Sequence, residues 1–156
     1  MATLLERASS TIISAIRKFA KRIQKPPLAE RNQKYQMDEM TITVAGLKGI
    51  YLSYAYNKEI RCIPDFSEGG RTIESIGKVV KSVLLLCPKR IYTDGLNLYP
   101  GLIGAPIHKS NKYFTVHIER MNSTLRTHLK RFSRSGLSFS RSIDIVEACM
   151  KLYLWG

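Results

Sequence analysis

The chain has 156 residues, 44% of them hydrophobic, which fits one globular domain burying roughly 70% of the surface its unfolded chain exposes. Its 25 Lys and Arg outnumber 12 Asp and Glu, and the resulting +13 charge repels itself, pointing to an anionic partner such as nucleic acid or an anionic membrane surface. No apolar run reaches the ~18–20 residues of a bilayer span, and three dispersed cysteines, Cys62, Cys87 and Cys149, form no C-x-x-C pair. These features argue against a zinc ribbon and for a reducing, cytoplasmic compartment.

The first element is a basic helix. Leu5, Ala8, Ile12, Ile16, Phe19 and Ile23 fall on one face, Arg17, Lys18, Lys21 and Arg22 lie largely off it, and Pro26 and Pro27 stop it. A packing helix, a membrane-surface helix and a DNA-contacting helix all match that pattern. Strands follow. Over 35–44, Gln36, Asp38, Met40, Ile42 and Val44 share one face, and Tyr35, Met37, Glu39, Thr41 and Thr43 share the other. Residues 49–57 and 59–66 read as two further strands of an antiparallel meander, and 67–71 as a loop. Thr72 is placed to cap a helix whose apolar stripe is Ile73, Ile76, Val80, Val83 and Leu84. A short strand over 90–95 ends at Asp94 with Gly95 as the turn, and another short strand fits near 102–108. A long helix runs from about Val116 to Phe132 and a last one from about Ser142 to Trp155. The order defines a mixed α/β domain.

Three acids stand out. Asp38 shares its face with Met40, Ile42 and Val44, so it needs a cation, several donors or a raised pKa; Glu39, beside threonines, reads as solvated. Asp94 closes a strand, where ligand sites form in α/β sheets, although Asp-Gly also ends strands for turn reasons alone. Glu119 is the one acid between His108 and Ser135. It flanks the apolar stripe of Ile118, Met121, Leu125, Leu129 and Phe132, and a salt bridge with Arg120 is the plainer reading. If the three cluster, divalent cations must neutralise them, and oxygen ligands suit Mg²⁺ or Mn²⁺. His108, His117 and His128 form no metal-ligand pairing, and no nucleophile elbow, P-loop or dinucleotide fingerprint is present.

The segments MDE (37–39), YAY (54–56), TDG (93–95) followed by Tyr99, HIERMNSTLRTHLKR (117–131) and LSFSRSIDI (137–145) together resemble the insertion-sequence-one family of transposases. The resemblance runs from about Tyr35 to Trp155, and the 24 residues between Asp94 and Glu119 match the family's separation of its second and third acids. It implies a ribonuclease H-like mixed sheet flanked by helices and a DDE triad of Asp38, Asp94 and Glu119. Residues 1–25 would be the remnant of a helix-turn-helix, 26–34 a linker, and 35–156 the catalytic domain. The family's zinc ribbon and the start of its helix-turn-helix have no counterpart here, so a truncated copy or the downstream half of a frameshifted product is expected.

The implied activity is DNA transposition by phosphoryl transfer. Asp38 would bridge two divalent ions ~3.5–4 Å apart, with Asp94 and Glu119 each completing one coordination sphere. Expected DNA contacts are Arg120, Asn122, Arg126, Lys130, Arg131 and Arg134 near the site, and Arg17, Lys18, Lys21 and Arg22 on the first helix. The partners are double-stranded DNA at element ends and target, and a second copy of the chain on that DNA; the setting is the bacterial nucleoid, with no membrane. Competing classes are a non-catalytic basic nucleic-acid-binding protein, a peripheral membrane protein held by the first helix, and a ribonuclease H-like nuclease that cleaves without joining strands.

Overall fold

A computed structural model describes residues 9–27, 31–132 and 140–156. The chain forms helix α1 (Ser9–Ala20), strands β1 (Lys34–Val44), β2 (Leu47–Asn57) and β3 (Phe66–Gly69), then helix α2 (Ile73–Leu84). Strand β4 (Arg90–Thr93), helix α3 (Tyr99–Leu102), strand β5 (His108–Ser110), helix α4 (Val116–His128) and helix α5 (Ile143–Trp155) complete it. One sheet contains all five strands in the order β3-β2-β1-β4-β5. The first three are antiparallel, whereas β4 and β5 run parallel to β1.

The β1–β2 hairpin turns at Ala45-Gly46, where Gly46 adopts φ +73°, a left-handed conformation that costs a glycine little. Both faces of the sheet are covered. On one, Met40, Ile42 and Val44 pack with Leu52, Tyr54, Ile118, Leu125, Phe132, Val146 and Met150, joining β1 and β2 to α4 and α5. On the other, Tyr35, Met37, Ala55 and Ile91 pack with Ile76, Val79, Val80, Val83, Tyr99 and Ile103 from α2 and its surroundings. Each such fully buried aliphatic side chain contributes about 1.5–3 kcal/mol of transfer free energy.

Several local expectations hold. The Thr72 side chain accepts from the Ser75 N–H at 3.3 Å and caps α2. Ile118, Leu125 and Phe132 are buried as the apolar stripe requires, although α4 stops at His128 and a 3-10 turn (Lys130–Phe132) carries Phe132 inward.

Others are corrected. The third strand is Phe66–Gly69, within the segment read as a loop, while 59–65 holds only an isolated bridge from Cys62 to Asn57. Arg61 there sits at φ +53° and Pro64 has no N–H to donate, so that stretch cannot extend a ladder. Ile73 is exposed, and Val79 takes its place in the α2 stripe.

Helix α1 packs on α5 through Ile13, Ile16 and Ala20 against Ile145, Ala148 and Leu152. Its buried face is therefore rotated from the expected stripe, leaving Ile12 and Phe19 exposed. Leu5 and Ala8 lie outside the described residues. No helix among the described residues is long and apolar enough to cross a membrane.

Candidate active site

The register of β1 and β4 sets the site. Met37 pairs with Thr93 in parallel, so the residues that follow, Asp38 and Asp94, stand side by side where β4 ends. Asp94 Oδ1 accepts the N–H groups of Gly95 at 2.8 Å and Leu96 at 3.1 Å, a side-chain turn that folds the chain away from the strand. The Ser110 hydroxyl donates to the Asp94 carbonyl at 3.0 Å, fixing the neighbouring strand end.

Glu119 comes from the first turn of α4, which is seated on β1 by the buried side chain of Gln36. Gln36 Oε1 accepts the Ile118 N–H at 2.9 Å, and its Nε2 donates to the Phe114 carbonyl. One of the orphan donors of the helix start is thereby satisfied. Thr115 Oγ1 donates to Glu119 Oε1 at 3.2 Å. One turn further on, Asn122 Nδ2 donates to Asp38 Oδ2 at 2.8 Å, so the helix carrying Glu119 is bonded directly to Asp38.

Asn122 is itself oriented by Tyr54, whose hydroxyl donates to Asn122 Oδ1 at 2.8 Å and lies 3.2 Å from the Ile118 carbonyl. Tyr54 is the cross-strand partner of Asp38 on β2. The other Asp38 oxygen accepts the Glu39 N–H at 2.8 Å. Burial raises the Asp38 pKa above its ordinary value, the negative charges of Asp94 and Glu119 raise it further, and the two hydrogen bonds oppose the rise. The carboxylate thus has neutral donors and two acids for neighbours.

Glu39 is not solvated. Its side chain is 0% exposed, because α2 and α3 cover the second face of β1. Oε2 accepts from Arg71 Nε at 3.1 Å and Nη2 at 3.0 Å, and Oε1 accepts the hydroxyl of the equally buried Tyr99. Arg71, 40% exposed, also lies over the Tyr51 ring, 5.2 Å from its centroid. Because Tyr99 follows the Asp94 loop, this network ties that loop to β1 from behind. Gln36, Tyr54, Arg71 and Tyr99 were not singled out from the sequence as site residues. Gln36 and Tyr54 sit on strand faces that should be buried, and Tyr54 and Tyr99 belong to the segments that carry the family resemblance.

Of the expected DNA contacts, Arg120, Lys130, Lys18, Lys21 and Arg22 are exposed. Asn122 commits its amide to Asp38, Arg126 donates to the Thr41 carbonyl at 3.3 Å, and Arg17 pairs with Asp144 at 2.5 Å. Arg134 and the side chain of Arg131 lie outside the described residues.

The three acids are neighbours, yet among the described residues no three His, Cys, Asp or Glu groups close on a single ion. Asp38 is bonded by Asn122 and the Glu39 N–H, Asp94 by its own turn, and Glu119 by Thr115. The donor chemistry still fits a hard divalent cation. All three candidate residues are carboxylates, and the half-buried Asp38 carries adjacent negative charge and accepts from the neutral Asn122 amide and Glu39 N–H.

Sheet order, the parallel β1–β4 pairing and flanking helices define a ribonuclease H-like fold. A chain in the cryo-EM structure of the simian T-cell lymphotropic virus intasome in complex with PP2A regulatory subunit B56 gamma superposes with a TM-score of 0.51. It is 19% identical, and the match covers 81% of the present chain and 50% of that one.

The sequence model of the IS1 transposase family matches residues 34–155, and the chain belongs to that family. It is 34% identical over 107 residues to the insertion element IS1 4 protein InsB of Escherichia coli (strain K12) and to the insertion element IS1 protein InsB of Shigella sonnei. Each match covers 67% of this chain, but 62% of the Escherichia coli protein and 79% of the Shigella one.

Proposed function

We propose that this domain is the catalytic part of a DDE-type transposase. It would cut DNA at the ends of a mobile element and join the freed 3′-hydroxyl to target DNA by phosphoryl transfer. The observation that carries this reading is the β1–β4 register, which sets Asp38 beside Asp94, together with the Asn122 bond that draws the Glu119 helix to the same point. Family membership supports it independently.

Asp38, Asp94 and Glu119 are the residues that would hold Mg²⁺ or Mn²⁺, with Asp38 shared. The chemistry a bound divalent pair supplies is activation of the attacking oxygen and neutralisation of the leaving one. The chain's own contribution is preorganisation. Asn122 and the Glu39 N–H fix the Asp38 carboxylate, Tyr54 fixes Asn122, and Gln36 fixes the helix start that carries Glu119. Such supporting contacts orient prospective ligand side chains and narrow the conformations they can take. Exposed Arg120 and Lys130 on the α4 side, with Lys18 on α1 and Lys21 and Arg22 in the turn that follows it, would bind phosphates of double-stranded DNA. Two element ends and a target call for more than one copy of the chain on the DNA.

The test is incubation of the purified protein with Mn²⁺ and a duplex carrying an element end. Cleavage and strand-transfer products are expected from the wild type. Asp94→Asn and Glu119→Gln should abolish both products while retaining DNA affinity; cleavage surviving Asp94→Asn would remove the proposed site.

A further inference from the structure

The turn between β5 and α4, which leads into the helix of Glu119, exposes aromatic surface. Tyr113 is 87% exposed and Phe114 44%, with Val116 also exposed. Single apolar residues at a surface are ordinary, but a contiguous group on a fixed turn suggests a partner.

The turn is held at several points. The Asn111 N–H donates to the Thr93 carbonyl at 3.1 Å, Asn111 Oδ1 accepts the Tyr113 N–H at 2.9 Å, and the Phe114 N–H donates to the Asn111 carbonyl at 3.1 Å. The Phe114 carbonyl accepts from Gln36, and its ring rests on Tyr92 with centroids 4.9 Å apart. The backbone is therefore anchored to β1 and β4 while the Tyr113 ring faces solvent. Thr93 precedes Asp94 directly, and Glu119 follows Tyr113 by six residues, so the turn bridges two of the acids. Lys109 and Arg120, both exposed, flank it with positive charge.

We propose that Tyr113, supported by Phe114, is a stacking ledge for an unpaired nucleobase at the end of a DNA duplex whose backbone lies at the carboxylates. An aromatic face suits any base and requires no particular sequence. Stacking repays part of the few kcal/mol that unpairing a base costs, so the ledge selects a frayed or single-stranded end over a closed one. The position relative to the carboxylates rests on the function proposed above; the preference for an unpaired base can be measured without any cleavage.

The experiment measures affinity of the full chain for two duplexes in EDTA, one blunt and one with a short single-stranded overhang, by fluorescence anisotropy. The wild type should prefer the overhang by roughly 5- to 150-fold, the equivalent of about 1–3 kcal/mol for one stacked base. Tyr113→Ala and Tyr113→Leu should lose that preference with blunt-duplex affinity unchanged, and Tyr113→Phe should keep it. Equal wild-type affinity for the two duplexes, or a preference surviving in Tyr113→Leu, overturns the proposal and leaves the catalytic reading standing. Absence of binding to either duplex overturns both. A Tyr113→Ala protein that changes oligomeric state, with its overhang preference intact, would assign the ledge to a second copy of the chain instead.

Discussion

Tyr99→Phe is the sharpest probe of the buried network behind the site. It removes one hydroxyl and leaves the ring packed, but it strips Glu39 Oε1 of its donor where neither residue meets water. A hydrogen bond to a charged group contributes ~1.5–3 kcal/mol. At roughly 2–4 °C per kcal/mol for a chain of this size, the melting temperature should fall by ~3–12 °C. The loss should depend on pH. Burial raises the Glu39 pKa from its ordinary 4.5, against the lowering effect of Tyr99 and Arg71. A raised folded pKa gives a stability contribution that is complete below the unfolded value and lost as pH rises through the folded one. Removing the Tyr99 donor raises that pKa further, so the penalty should be small below pH 4.5 and grow toward neutrality. In a Glu39→Gln background, where the acceptor is neutral, the same substitution should cost only about 0.5–1.5 kcal/mol. Thermal denaturation of the four proteins across pH provides the cycle. A Tyr99→Phe protein melting with the wild type at neutral pH would refute the network.

Glu68, on the edge strand β3, is pushed up to about 7, mainly by burial and then by the nearby Glu147. Its contribution is therefore present below 4.5 and lost as pH rises through about 7, and Glu68→Gln should flatten the stability profile over that window in a urea titration. Asn122→Ala removes a donor from Asp38, and cleavage should fall ~10–100-fold with little change in DNA affinity, as loss of a ligand-orienting contact does. Replacing Lys18 on α1 and Lys21 and Arg22 in the turn after it by alanine should reduce the slope of log affinity against log salt by up to about 0.9 per lost phosphate contact. An unchanged slope in anisotropy titrations would separate α1 from DNA.

Legibility in the sequence followed the physics of each element. Asp38 and Asp94 could be picked out because one sits on an apolar strand face and the other ends a strand at a glycine turn. Their adjacency depended on β1 pairing with β4, a long-range choice that local pattern does not encode. Glu39 reads as solvated from alternation alone, but alternation implies a wet face only when a sheet is covered on one side, and here α2 and α3 close the other. The four-residue α3 that delivers Tyr99 is too short to leave a periodic trace. Strand β3, with Ser67 and Gly69, owes its conformation to pairing with β2 rather than to propensity. The apolar arc of α1 runs from Ala15 through Phe19, Ile12 and Ile16 to Ala20 and Ile13, and which part of it is buried was chosen by Ile145 and Ala148 on α5, which its own sequence cannot reveal.

The central claim is that Asp38 and Asp94, brought together by the parallel β1–β4 pairing, share a divalent cation with Glu119 at its edge. Anomalous diffraction from crystals grown with Mn²⁺ tests it most directly. The account predicts density contacting both aspartates, lost in Asp94→Asn crystals. Manganese bound elsewhere, with neither aspartate in contact with it, would contradict it.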